Sequence, residues 1–68
     1  MLTAKEQVLQ ELEYNKKNCI EASRNEHLWA LGSGTSEATI IHEDNRMRLL
    51  EMSELYDKLI EFLEKIKN

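Results

Sequence analysis

Only one segment of the chain has the composition of a turn. The 68 residues contain no proline and only two glycines, and both glycines lie in the segment 32–36, Gly-Ser-Gly-Thr-Ser, close to the midpoint. Because proline and glycine are the main interruptions of helices, the sequence predicts two long helices joined by this segment. We expect an all-α fold, an antiparallel two-helix hairpin with helices over about 3–31 and 36–67, in which residues 1–68 form a single domain.

The predicted helix ends have recognisable caps. Thr3 and Glu6 have the spacing of a capping box, and Thr35 or Ser36 can cap the second helix. Either glycine, in the left-handed conformation, can close the first helix. The segment 15–18, Asn-Lys-Lys-Asn, is the weakest part of the first helix, and a break there would give a three-helix arrangement.

The second helix has more apolar surface than a hairpin can cover. Residues 52, 55, 59, 62 and 66 keep the spacing of a coiled-coil seam, and Tyr56 and Leu63 widen this stripe. At this length a single core rarely supplies more than about 3 to 5 kcal/mol. We therefore expect a homodimeric four-helix bundle, with a marginal monomer or a chain that folds on its partner as the alternative. The predicted dimer core is Leu12, Met52, Leu55, Tyr56, Leu59, Phe62, Leu63 and Ile66.

Polar residues fall on the predicted inner faces near the turn. A turn centred on Ser33 and Gly34 pairs residues whose numbers sum to about 67 or 68. The resulting band contains Ser23, Glu26, His27, His42, Asn45 and Arg48. It is either a hydrogen-bonded network that fixes the register or a metal or ligand site formed by Glu26, His27 and His42.

Known metal motifs do not fit this band. Thr39 and Arg24 stand where the Glu-x-x-His motif of di-metal bundles needs glutamate, and Arg46 stands where the zinc motif His-Glu-x-x-His needs its second histidine. We therefore expect no metal and no cofactor. Cys19 lies in the middle of a helix with no histidine near it in this register, so we also expect no enzymatic activity.

Charge and hydropathy limit the partners. The net charge is −4 and neither half is basic, which disfavours binding to nucleic acid and to an anionic membrane. A nucleic-acid-binding hairpin that uses Lys5, Lys16, Lys17 and Arg24 stays open as a second alternative. No segment has the length of a transmembrane helix or the core of a signal peptide, and the single cysteine fits a reducing compartment, so we expect a cytoplasmic protein.

Apolar residues outside the core point to a partner. Trp29, Ile40 and Met47 lie on the flank of the stripe near the turn, and Leu50 lies on a polar face. Tyr14 is a second aromatic candidate anchor, although Trp29 could equally cap the end of the bundle core. The sequence thus predicts a small non-catalytic protein-interaction module, such as a regulator, inhibitor or adaptor of the kind that phages encode, which binds itself and an unidentified protein.

Overall fold

The protein is a hairpin of two long helices. The computed structural model describes residues 1–66, in which α1 spans Ala4–Gly32 and α2 spans Ser36–Lys65. The predicted all-α hairpin is confirmed. The helix α1 continues through residues 15–18, so the three-helix alternative is wrong. The helix α2 ends at Lys65, slightly before the predicted end, and residue 67 lies outside the described residues.

Both N-terminal caps form as the sequence predicts. The Thr3 Oγ1 accepts a hydrogen bond from the Glu6 amide at 3.1 Å, and the Thr35 Oγ1 accepts one from the Ala38 amide at 3.1 Å. The Glu6 carboxylate accepts from the Thr3 hydroxyl rather than from its amide. Each cap satisfies one of the amides that a helix leaves free at its start.

The prediction that a left-handed glycine closes α1 is wrong. Within residues 1–66 no glycine has a positive φ. Instead Ser33, with φ −74° and ψ 143°, turns the chain in an extended conformation. Its amide and its hydroxyl both donate to the Ala30 carbonyl oxygen, at 3.4 and 2.9 Å. Because Ser33 supplies these bonds, the last turn of α1 does not need the hydrogen bonds of a left-handed cap.

The two helices meet along a seam in which contacting residues recur at steps of three and four. All of these residues are buried or half-buried. The seam residues of α1 are Lys5, Leu9, Leu12, Lys16, Cys19, Ser23, Glu26 and Ala30. The seam residues of α2 are Thr39, His42, Arg46, Leu49, Ser53, Tyr56, Ile60 and Leu63. Both series have the heptad spacing of an antiparallel coiled coil.

The centre of the seam is built from small side chains. The buried residues are Cys19, Ser23, Ala30, Ser53 and Ile60. The hydroxyls of Ser23 and Ser53 donate to the carbonyl oxygens three residues earlier, each at 2.7 Å, so their burial leaves no hydroxyl unsatisfied. Only Ile60 among these five brings a large apolar side chain, so the hairpin alone buries little apolar surface.

The contacts between the helices lie close to the predicted register. Glu26 faces His42, and these numbers sum to 68 as predicted. Farther from the turn, Lys16 pairs with Asp57 at 2.5 Å and Lys5 donates to the Ile66 carbonyl oxygen, and these numbers sum to 73 and 71. The two lysine contacts therefore exceed the predicted sum of about 67 or 68 by a few residues.

Candidate interaction surface

The hairpin is a flat layer with two broad faces. Its Cα atoms extend over 52 × 20 × 10 Å, so the layer is one helix thick. In an antiparallel pair, the residues that come directly before the seam residues of both helices share one face, and those that come directly after share the other. The seam of this chain therefore assigns each flanking residue to a face.

The first face is almost free of charge, and we call it the neutral face. Its residues on α1 are Ala4, Val8, Glu11, Asn15, Asn18, Ala22, Asn25 and Trp29. Its residues on α2 are Ala38, Ile41, Asn45, Arg48, Met52, Leu55, Leu59 and Phe62, followed by Ile66 at the helix end. Glu11 and Arg48 are its only charged residues in the described part of the chain, and their charges cancel.

The second face is strongly acidic, and we call it the acidic face. Its residues on α1 are Glu6, Gln10, Glu13, Lys17, Ile20, Arg24, His27 and Leu31. Its residues on α2 are Ile40, Glu43, Met47, Leu50, Glu54, Asp57, Glu61 and Glu64. Seven carboxylates thus stand against two basic side chains on this face. The charge of the protein is concentrated on one side of the layer.

Half of the neutral face carries an exposed apolar stripe, defined as Met52, Leu55, Leu59, Phe62 and Ile66. Each of the five is between 41% and 64% exposed. A shallow depression of about 230 Å³ on this face is lined by Met52, Leu55 and Leu59 together with Tyr56. Isolated exposed leucines are ordinary, but a continuous apolar surface of this kind is typical of an interaction site.

The structure divides the predicted dimer core into two sets. Leu12, Tyr56 and Leu63 are half-buried in the seam, whereas the five residues of the apolar stripe are exposed. The predicted core does not include Ile60, which is buried. Ile60 belongs to the heptad series 53, 56, 60 and 63, whose spacing also predicts a buried face, but Ser53 interrupts the apolar pattern of that series.

The turn end of the hairpin carries three further apolar side chains, the turn patch, defined as Trp29 on the neutral face and Ile40 and Met47 on the acidic face. All three side chains are exposed, and Trp29 is 57% exposed. The Trp29 ring contacts His42, with ring centroids 5.7 Å apart and an angle of 53° between the planes. Leu28, Leu31 and Ile41 are also exposed in the part of the chain near the turn. In the single chain Trp29 therefore does not close the core.

The two other predicted partner-binding residues lie farther from the turn. Leu50 is half-buried and lines an open groove of about 500 Å³ on the acidic face, beside Ile20, Leu28 and Arg24. Tyr14 is exposed, but it lies 15 residues before Trp29, which is about 22 Å along a helix.

Glu26 and His42 form a contact between the helices, as the sequence predicts. The His42 Nδ1 donates to the Glu26 Oε2 at 2.6 Å, and both side chains are half-buried. This bond ties the two helices together two turns from the end of the hairpin. A hydrogen bond between side chains that are partly shielded from water fixes the register more strongly than an exposed ion pair.

A second polar group surrounds Glu43. Its Oε2 accepts hydrogen bonds from Arg46 at 2.8 and 2.9 Å, and its Oε1 lies 3.4 Å from the His27 Nδ1. The hydrogen bond from Arg46 is the largest effect and lowers the pKa of Glu43 below its ordinary value. Desolvation, the next largest effect, opposes this shift, whereas the charge of Arg46 and the contact with His27 add to it.

The predicted polar band is only partly formed. Ser23, Glu26, His42 and Asn45 lie in or beside the seam, and His27 reaches Glu43. Arg48 does not take part, because it is exposed and pairs with Asp44 at 3.1 Å, one turn earlier on α2. Arg46 occupies the seam position that the predicted register gave to Arg48.

The described residues do not bring metal ligands together. Within residues 1–66 no three of the His, Cys, Asp and Glu side chains are placed to hold a metal ion. Glu26 bonds His42 and His27 contacts Glu43, so the three predicted ligands are divided between two separate contacts. Cys19 is buried and free.

The basic residues of α1 do not form one stripe. Lys16 pairs with Asp57, and the Lys5 Nζ donates to the Ile66 carbonyl oxygen, so both are used within the hairpin. Lys17 and Arg24 lie among the carboxylates of the acidic face. Neither α1 nor α2, over residues 1–66, has the length of apolar sequence that a membrane crossing requires.

Comparisons with protein-family models, with curated proteins and with solved structures found no match.

Proposed function

We propose that the protein is a small non-catalytic protein-interaction module, a regulator, inhibitor or adaptor, that works as a homodimeric helical bundle. The observation that carries this proposal is the exposed apolar stripe on the neutral face. The stripe continues the heptad spacing of a coiled coil, so it has the geometry to pack against another helix. A two-helix layer with small residues at its centre also gains stability from a second layer.

The distribution of charge supports a second copy as the occupant. Two acidic faces brought together would set seven carboxylates of one copy against seven of the other, and like charges at short distance repel. Within residues 1–66 the neutral face itself carries only Glu11 and Arg48, whose charges cancel. Self-association through the neutral face therefore avoids the repulsion that the other face imposes.

The turn patch supports binding of another protein. Tryptophan and methionine are favoured anchors of protein interfaces, and Trp29 and Met47 are exposed at the same end of the hairpin. This end lies away from the apolar stripe, so both surfaces can be used at once. The single cysteine, which has no partner for a disulfide within the chain, supports a cytoplasmic location, where thiols stay reduced.

Sedimentation of two matched variants tests self-association. Leu59→Lys places a charge in the apolar stripe, and Leu31→Lys places the same charge on an exposed leucine of the acidic face. We expect the native chain and Leu31→Lys to sediment as dimers and Leu59→Lys as a monomer of unchanged helix content. A dimer that survives Leu59→Lys would contradict this use of the stripe.

Comparison of two aromatic variants tests partner binding. We expect Trp29→Ala to lose a protein that the native dimer retains from a cell extract, because the turn patch loses its largest side chain. Tyr14→Ala tests the second predicted anchor, which lies away from the patch. Equal recovery by the native chain and by both variants would remove the two aromatic anchors from the proposal.

A further inference from the structure

We infer that two copies pair in an antiparallel arrangement, α2 against α2, with the contact centred near Leu59, and that they overlap only over the half away from the turn. The two turn patches then lie at opposite ends of an elongated dimer, which makes the protein a two-ended connector. This inference rests on the proposed self-association. It adds the arrangement of the copies and the separation of their partner-binding ends.

The distribution of apolar residues along the neutral face favours this partial overlap. If the two layers overlapped completely with α2 on α2, Leu55 would face Arg48 of the second copy and Leu59 would face Asn45. Burying a polar group without a hydrogen-bond partner is unfavourable. Pairing centred near Leu59 instead sets the stripe against the stripe of the second copy, so apolar side chains meet apolar side chains.

The neutral face of α1 is a poorer match for the stripe. If α2 of one copy lay on α1 of the other at the same height, Leu55 and Leu59 would face Glu11, Asn15 and Asn18. These three side chains are exposed in the hairpin and would lose contact with water. The contact between the two α2 helices avoids this cost, and in the overlapping half the two α1 helices complete a four-helix bundle.

Charges beside the stripe favour the antiparallel direction. Glu51 and Lys65 come directly before the first and last residues of the stripe, and both are exposed. Antiparallel pairing near Leu59 brings Glu51 of each copy close to Lys65 of the other, giving two opposite-charge contacts. The Lys58 side chains of the two copies meet at the centre. Each of them has Glu54 and Glu61 one turn away on its own helix as partners of opposite charge. A parallel pairing would place every one of these charges beside its like.

The surface available is close to what a specific dimer needs. From their exposed fractions, covering the five stripe residues of both copies removes roughly 1,000 Å² of accessible surface, and the flanking residues add to it, whereas specific interfaces bury about 1,200 to 2,000 Å² in total. The contact therefore lies at the small end of stable interfaces and depends on the complete stripe.

The arrangement has a characteristic length. The stripe from Met52 to Ile66 spans about 21 Å at 1.5 Å per residue. Two layers of 52 Å that overlap by this amount form a particle of about 80 Å. Because each end presents Trp29, Ile40 and Met47, one dimer can hold two copies of a partner, and a partner with two sites would gain effective concentration from the second contact.

Small-angle X-ray scattering of the native dimer tests the inference. We expect a maximum dimension of about 80 Å, plus the width of side chains and hydration, from the overlap calculated above. A dimer no longer than the 52 Å layer overturns the arrangement and leaves the proposed dimer intact. A monomer in sedimentation overturns both, so the two failures are distinguishable.

Cross-linking in a Cys19→Ala background gives an independent test. Leu59→Cys lies at the proposed centre, and we expect a short bis-maleimide to join two copies through it. Leu31→Cys lies at the turn, where the proposed arrangement places the copies far apart, so we expect no cross-linked dimer. Efficient cross-linking through residue 31 but not through residue 59 would show that the turns lie together and would overturn the inference.

Discussion

Leu59 and Ile60 are consecutive residues of α2 with opposite surroundings: Ile60 is 9% exposed and packs in the seam, whereas Leu59 is 49% exposed on the neutral face. A helix rotates about 100° per residue, so neighbouring positions can serve different surfaces. The helix α2 thus has one apolar face in the seam of its own hairpin and a second, exposed one, which we propose binds another chain.

The two residues should respond differently to truncation. We expect Ile60→Ala to destabilise the hairpin by about 2 to 4 kcal/mol at every protein concentration, because it removes the largest buried side chain of the seam. Leu59→Ala should lower stability mainly at concentrations where the native chain is dimeric. Urea denaturation over a range of concentrations measures both effects. Equal losses of stability in Ile60→Ala and Leu59→Ala at low protein concentration would contradict the division of α2 into two faces.

We expect a side chain at position 32 to fit the structure and to stabilise the protein. Gly32 is the last residue of α1, its φ is not positive, and a Cβ added there would meet no atom within 4 Å. We expect Gly32→Ala to stabilise the protein by about 0.5 to 1 kcal/mol, because alanine loses less conformational freedom than glycine in a helix. Thermal unfolding followed by circular dichroism should show a higher Tm. A lower Tm would indicate that this position needs the freedom of glycine.

The two histidines provide a matched comparison. His42 is half-buried and bonds Glu26 at 2.6 Å, whereas His27 is mostly exposed and lies 3.4 Å from Glu43. We expect His42→Ala to cost about 1 to 2 kcal/mol, because the half-buried carboxylate loses its partner. His27→Ala should cost less than about 0.5 kcal/mol. Denaturant titration measures the free energy of unfolding that each variant loses. A larger loss for His27→Ala than for His42→Ala would contradict the expectation.

Acid should remove the contribution of Glu43. Folding lowers its pKa below the ordinary 4.5, chiefly through the Arg46 hydrogen bond, so the contact stabilises the protein above that pH. The stabilisation is lost as the pH falls through the lowered pKa. We expect Glu43→Gln to be slightly less stable than the native chain at neutral pH and equally stable in strong acid. Thermal melts between neutral pH and strong acid measure the difference in Tm between the native chain and Glu43→Gln. A difference that persists or widens in acid would contradict the expected loss of stabilisation.

The hairpin could be predicted because its determinants are local. The absence of proline, the caps at Thr3 and Thr35 and the single turn segment each act within a few residues. The closure of α1 was predicted wrongly because two routes exist, a left-handed glycine or an extended residue, and Ser33 between the glycines follows the second.

The assignment of faces on α2 depends on packing that periodicity alone does not determine. Two heptad series, one shifted by a single residue, are both compatible with its apolar pattern. The series with the larger side chains is the natural candidate for the core, but the hairpin buries the series with Ser53 and Ile60 in the seam, together with Cys19 and Ser23 of α1. Small residues on both helices were the available signal for this seam.

Sedimentation equilibrium of the native chain from micromolar to millimolar concentration, beside Leu59→Lys, tests whether a second copy covers the apolar stripe. We expect a reversible monomer–dimer equilibrium for the native chain and a monomer for the variant over the same range. A native chain that stays monomeric and fully helical at every concentration would contradict it.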